Sequence, residues 1–516
     1  MSGSFTSLTA AERQRRHWFT KSAADFQLFG QSTSHCSVSK MVVSVIVALM
    51  LVSCTCGENP AIQVVLTDKG LQYGKHVGAG WIQEKLELVT LPDISGKVRI
   101  GILGSIGYTL TGVRITKCDF PEPSVEFNQG PTGFKTSTSG LSIAVTGGWR
   151  THYKAIHDGG TFNMALFNVD VTSVVELGKD PDGHISVNSV SCNAQIGNLD
   201  IEFSGGASWI FQPFVDYFKG HIRGEIEYNI CPTVEKYIVN AEQSLQAMNV
   251  SFEVNEDLTF DIPLTGLPVI EESSLNLGFK GEFYSIKTHQ EPPFEAQPFV
   301  MPVQSGYMLS AGLSEFTVNS ASYGYYSAGL LQAIINDSMI PPSSPVHLNT
   351  SSMGPFIPQL PKMFPGLLMT LQVYATEVPQ VSFHSGAVKM GSMAAVKAFA
   401  IQPNSTQTPL FKLLVDSEFS SKVWIAEGKL KGSMTMDNFT LSLDSTEVGT
   451  FNTDALASMA KMGVKMALSK VNKQLTEGIT LPRLKHAQLV NPVLTLEEGF
   501  IAICSDAELL EDIDFN

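Results

Sequence analysis

The sequence predicts an α+β protein of two similar domains, each a twisted antiparallel sheet wrapped around a long helix. Three observations carry that reading: stretches of period-two alternation, two long helical stripes, and a proline-rich break that halves the chain. At 516 residues and 43% apolar content, the chain can fill two cores of ordinary size.

The strands come first. "GTFNMALFNVDVTSVVEL" and "KLKGSMTMDNFTLSLDS" alternate apolar and polar residues, as half-buried antiparallel strands do. "KDPDGH" (Lys179 to His184) reads as a hairpin turn between two of them. Its Asp-x-Asp-Gly lacks the bidentate Glu that a calcium loop requires, so no metal is expected there.

The helices follow. From Ser208, a capping residue, apolar positions recur in steps of three and four through Phe211, Phe214, Phe218, Ile222, Ile226, Ile230, Val234 and Ile238. Pro232 is expected to open a new helical turn rather than sit inside one. In the second half the stripe runs through Leu456, Met459, Gly463, Ala467, Val471 and Leu475. A sheet wrapped on such a helix leaves an apolar slot. Phe214, Phe218 and Ile222 in the first half, and Leu330, Leu331 and Ile334 in the second, are the candidate lining; the same stripes would serve equally as plain core.

Prolines 292, 293 and 298 in "HQEPPFEAQPF" favour extended chain. The expected organisation is therefore 1–57, an upstream extension and signal peptide; 58–288, a first domain; 289–301, the linker; and 302–516, a second domain. "YGKHVGAGWIQ" (Tyr73 to Gln83) and "YGYYSAGLLQ" (Tyr323 to Gln332) share landmarks, which argues for two copies of one unit.

"MVVSVIVALMLV" (Met41 to Val52) is too short to span a bilayer and matches a signal-peptide core, with Lys40 ahead of it and Gly57 near the cut. The chain is read as secreted. Cys36, Cys54 and Cys56 fall in the removed segment. Of the remaining four, Cys192 and Cys231 lie in the last strand and the long helix of the first half. A bond between them would close a loop of about 40 residues and contribute roughly 3–4 kcal/mol. Cys118 and Cys504 are expected outside any disulfide. Secretion also gives meaning to the glycosylation sequons at Asn249, Asn336, Asn349, Asn404 and Asn438.

Formal charge is -15, with 16 basic against 27 acidic residues in 58–288 and 13 against 20 in 289–516. Phosphate backbones would be repelled over the whole surface, which excludes nucleic acid. Catalytic signatures are missing: no Gly-x-Ser-x-Gly elbow, no His-Glu-x-x-His and no P-loop occurs. The expectation is a non-enzyme without cofactor or metal.

Against that acidic background, "TGGWRTHYKAIHDGG" (Thr146 to Gly160) gathers Trp149, Arg150, His152, Tyr153, Lys154 and His157 between two glycine pairs. Cations beside amphipathic rings suit a phosphate-bearing lipid interface. The histidines would charge below neutrality and tighten such binding near about pH 6.

These residues, in this order, resemble the family of bactericidal/permeability-increasing and lipopolysaccharide-binding proteins with their lipid-transfer relatives. "NPAIQVVLTDKGLQY" is similar to the family's opening, "KGEFYS" plus the proline-rich linker to its central junction, and "GLLQAIINDSMIP" and "VNPVLTLEEGF" to its second half. The Cys192/Cys231 pair matches its disulfide.

The resemblance implies an elongated boomerang of two barrel-like domains joined by a central sheet, each holding phospholipid in an apolar slot. It further implies a cationic tip that meets the lipid A of lipopolysaccharide on the bacterial outer membrane. Trp149, Arg150 and Lys154 keep matching positions, as do Lys97 and Arg99 in the neighbouring segment. Ser105, Ala144, Gly148, Tyr153 and His157 stand where strongly basic tips carry Lys or Arg. The expected function is that of a secreted, monomeric lipid-binding protein of innate immunity with an antibacterial or endotoxin-transfer role.

 The expected partners are lipopolysaccharide, phospholipids and the bacterial outer-membrane surface. The alternatives are a plasma-type phospholipid or neutral-lipid carrier without endotoxin specificity, and an adaptor that meets a receptor through its second domain.

Overall fold

The computed structural model describes residues 58–510, apart from 88–89, 102–103, 154–155, 207, 209–214, 303, 341, 343, 345 and 482–486. The expected signal peptide, Cys36, Cys54, Cys56, Lys154 and Phe214 lie outside the described residues. Among the described residues no helix is long and apolar enough to cross a membrane.

The first half opens with β1 (Ile62–Thr67) and α1 (Asp68–Glu87), then β2 (Ile94–Ile100), β3 (Gly104–Asp119), β4 (Gly133–Tyr153), β5 (Ile156–Lys179) and β6 (Ile185–Ser204). The long helix α2 (Val215–Gln246) follows, and β7 (Ser274–Phe279) closes the half. The second half repeats the plan. It has β8 (Leu309–Ser314), α3 (Glu315–Ser327), β9 (Gln332–Asn336), β10 (Leu368–Ala375), β11 (Ala387–Ile401), β12 (Gln407–Ala426) and β13 (Lys429–Thr446). Helix α4 (Asp454–Glu477) and the closing strands β14 (Ala487–Glu497) and β15 (Phe500–Leu509) complete it.

Period-two alternation produces the meanders. Ile106, Tyr108 and Leu110 of β3 are buried on one face, and Val113 and Ile115 resume the pattern after a slip of one residue. Gly112 makes the slip at φ 58, and the β3–β4 register shifts between Thr111 and Arg114. Asn168 at φ 51 does the same in β5, between buried Leu166 and Val169. One core per half results. In the first, Phe162, Met164, Leu199 and Ile201 meet Phe218 and Ile222 of α2. In the second, Leu360, Met369, Leu410 and Leu413 meet Leu456 of α4.

Each long helix seals the last long strand of its sheet. Along β6, Lys219 pairs with Asp200 at 2.9 Å, the Ile196 N–H donates to the Glu227 carboxylate at 2.8 Å, and Cys231 is bonded to Cys192. The Val187 N–H donates to Glu242 further on. In α4, Asn472 exchanges hydrogen bonds with the backbone of Met434, at 2.7 and 2.9 Å. Backbone groups that an open sheet edge would expose are thus partly satisfied from the helix.

Two helical expectations are corrected. Pro232 lies inside a continuous α2 and does not open a new turn. The orphaned carbonyl it leaves is that of Tyr228, a residue 76% exposed, where water can serve it. In α4 the sheet-facing positions after Met459 are Val464, Leu468, Asn472 and Leu475, while Gly463, Ala467 and Val471 face out. Both stripes are apolar in sequence, and the sheet takes the one with the larger side chains.

A six-stranded central sheet runs Val269–Ile270, β7, β1, β8, β15, β14. Ile62 of β1 stands opposite both Phe279 and Leu313, so three strands of the first half and three of the second join edge to edge where β1 pairs with β8. The proline-rich segment lies along this sheet: the Asn59 side chain donates to the Ala296 carbonyl, and Phe299 stacks on Phe500 at 4.7 Å. Cys118 and Cys504 are both buried and outside any disulfide, as expected.

Candidate functional site

The stretch from Thr146 to Gly160 is not a loop. It is the end of the β4–β5 hairpin, paired in register from Thr146↔Asn163 to Tyr153↔Ile156. Strand geometry therefore decides which side chains can work together, because neighbours in sequence point to opposite faces.

The inward row contains Trp149. It is 2% exposed, its indole N–H donates to the Ser204 carbonyl at 3.1 Å, and its ring meets Phe203 edge-on at 5.8 Å. Phe203 in turn meets Phe218 of α2, as does Tyr108. Burial, with Glu225 nearby, pushes the Tyr108 hydroxyl up to about 12, and that hydroxyl lies 3.2 Å from His221 Nδ1. The glycine pairs make room for this layer. A Cβ at Gly160 would collide with the Ser204 carbonyl and sit 2.8 Å from the indole nitrogen; one at Gly147 would sit 2.8 Å from the Phe162 ring. Trp149 is thus a core residue, and the expectation that it shares a lipid-facing surface with Arg150 is corrected.

The outward row holds the cations. Lys97, Gly107, His152 and His157 stand in one register line across β2, β3, β4 and β5, with Thr109 and Arg150 in a parallel line. They border a groove of about 470 Å³, floored where Gly107 has no side chain. His152 and His157 are exposed and their Nδ1 atoms lie 3.2 Å apart. Lys97, Arg99 and Arg150 are exposed, and among the described residues no carboxylate lies within ion-pair distance of them. Elsewhere lysines are often neutralised, as in Lys69–Asp506, Lys389–Asp437 and Lys412–Asp444. Tyr153 is placed only by its backbone, opposite Ile156.

The apolar candidates divide. Phe218 and Ile222 are 2% and 0% exposed within the first core. Beyond them Ile226, Ile230, Val234 and Ile238 are only half-buried. Leu330 and Leu331 are half-buried, and Ile334 on β9 is 62% exposed. These three are not on a helix: α3 ends at Ser327, and Gly329 at φ 69 turns the chain into a strand. Asn249, Asn404 and Asn438 are exposed, while Asn336 and Asn349 are half-buried.

Fold and site together define a two-domain α+β protein with a helix-sealed sheet in each half and an unneutralised cationic face at one sheet end. Models of the N-terminal and C-terminal domains of the LBP / BPI / CETP family match residues 70–248 and 252–509, and the chain belongs to that family. It is 35% identical over 460 residues to a bactericidal permeability-increasing protein of Sebastes schlegelii, covering 89% of this chain and 97% of that one. A lipopolysaccharide-binding protein of Bos taurus is 29% identical over 458 residues, covering 88% and 95%. A crystal structure of lipopolysaccharide binding protein superposes with TM-score 0.54 at 25% identity, covering 87% of this chain and 99% of that one.

Proposed function

We propose that this protein is a secreted lipid binder of innate immunity, reading phosphate-bearing amphiphiles, lipopolysaccharide above all, at the outward face of the β2–β5 sheet end. The observation that carries the reading is the set Lys97, Arg99 and Arg150, exposed on one face and without carboxylate partners among the described residues, in a chain of net charge -15. Arg150 can grip a phosphate with two hydrogen bonds, and Lys97 adds a point charge across the groove. The names of the relatives support the choice of ligand.

Acyl chains are assigned to the helix–sheet seam past Ile222, where the apolar stripe of α2 is incompletely covered. The tightly packed layer around Phe218 has no room for one: the void beside Trp149 and Phe218 is about 10 Å³. The second half is assigned the same lipid-holding role, along α4 instead of Leu330, Leu331 and Ile334.

The test is retention on lipopolysaccharide against phosphatidylcholine vesicles at two salt concentrations. Each basic group near an anionic surface contributes about 1 kcal/mol, so Lys97→Ala with Arg150→Ala should weaken lipopolysaccharide binding about 30-fold. The preference should shrink as salt rises. The acidic first half favours a second reading, a lipid carrier indifferent to endotoxin. Equal retention on both surfaces, or a double variant that binds as before, decides for the carrier.

A further inference from the structure

We propose that His152 and His157 form a binding site for one divalent transition ion of the zinc or copper type. The two residues are directly opposite each other in the β4–β5 register, with ring centroids 4.4 Å apart and Nδ1 atoms 3.2 Å apart. Two nitrogens placed tetrahedrally on zinc, each at about 2.0–2.1 Å, lie about 3.3 Å from one another. The observed separation is therefore that of two ligands on a single ion. Without an ion, the contact is one hydrogen bond, in which one ring must donate and the other accept. With an ion, both lone pairs point at the same centre.

The surroundings fit this chemistry. Both rings are exposed, so an ion has an entry path, and paired strands hold both backbones before it arrives. Imidazole donors select zinc or copper over calcium or magnesium, which need oxygen ligands. The same two histidines border the groove that also holds Lys97 and Arg150. Two coordination positions are left for water or for a phosphate oxygen seated in the groove. Lys97 and Arg150 disfavour a second cation until such an anion lies between them. A bound ion would add two positive charges to a sheet end that carries few lysines.

The cluster of Asp180, Asp182 and His184 at the β5–β6 turn is a weaker candidate, although its ligand atoms lie within 4.8 Å of one another. There Asp180 already accepts from the His184 backbone N–H and pairs with His184 Nδ1, both at 2.7 Å. Those contacts close the hairpin.

The experiment is equilibrium dialysis of the full secreted chain against buffered micromolar zinc, with bound metal counted per chain. Wild type, His152→Ala, His157→Ala and His184→Ala are compared. Bound zinc should fall by one equivalent in each of the first two variants and stay at the wild-type value in the third, with all four melting alike. Copper(II) loaded at one equivalent should show two nitrogen donors in wild type and one in each of the His152 and His157 variants. Failure of wild type to retain zinc overturns the proposal, as does full retention by both sheet-end variants. Loss confined to His184→Ala overturns it too, by moving the site to the turn. None of these outcomes depends on which lipid the protein binds.

Discussion

Trp149→Ala separates a core residue from a lipid contact. A buried tryptophan removes up to about 250 Å² from water, which at about 25 cal/mol per Å² is about 6 kcal/mol. Alanine keeps part of that, and losing the indole bond to Ser204 costs about 1 kcal/mol more. The net loss should be about 4 kcal/mol, within the range for aromatic-to-alanine changes in cores. Unfolding entropy near 2.1 cal/mol/K per residue makes this a fall of about 4 °C if the described chain melts as one unit. The fall will be larger if the first half melts alone.

Calorimetry of Trp149→Ala and Arg150→Ala beside wild type measures this, with lipopolysaccharide retention recorded on the same samples. Arg150→Ala is exposed and should melt within about 0.5 kcal/mol of wild type while binding more weakly. A Trp149→Ala protein that melts like wild type yet loses its lipid would refute the inward placement.

Two further outcomes follow from the packing. Breaking the Cys192–Cys231 bond, which spans 39 residues, should cost about 4 kcal/mol by loop entropy. The loss should centre on residues 232–246, because Phe218 and Ile222 hold the other end of α2; unchanged amide exchange there after reduction would contradict this. Glu282 is 3% exposed, paired with Lys280 at 2.9 Å, and its other oxygen has no hydrogen-bond partner. Burial raises its carboxyl above the ordinary range, Lys280 pulls it back, and Glu291 and Glu58 push it up again. The folded state therefore holds this proton more tightly than the unfolded chain, and stability from this group drains away as pH rises through that interval. Lys280→Met should cost about 3 kcal/mol at neutral pH and less at an acid pH, where the carboxyl has taken up its proton. Melts at both values check it, and an equal loss at each would count against the account.

The meanders, the two long helices and the disulfide were legible because each rests on a local signal. What was not legible depends on facing and phase. Trp149 and Arg150 read as partners only while their segment is taken for a turn; in a strand, adjacent residues cannot share a face. The slips at Gly112 and Asn168 alter that phase without any interruption in the apolar pattern. In α4, Gly463–Ala467–Val471 and Val464–Leu468 are rival stripes one position apart, and only the sheet chooses between them. Glu227, Glu242 and Asn472 read as solvent-facing helix residues, yet they bond the last long strand of each sheet. The groove between Lys97 and His152 is formed across strands far apart in sequence, by a register that no short window contains.

The order β7, β1, β8, β15 in the central sheet has a consequence for synthesis. β1 is among the first structured segments to leave the ribosome, but β8 lacks its second neighbour until β15, close to the final residues, has emerged. Co-translational folding can complete the first meander, its helix and the β7–β1 pairing, while the outer edge of β8 waits for nearly the whole polypeptide. A premature stop within the last strand would therefore leave β8 with an open edge and β14 without its partner, while the β7–β1 pairing of the first half stays intact.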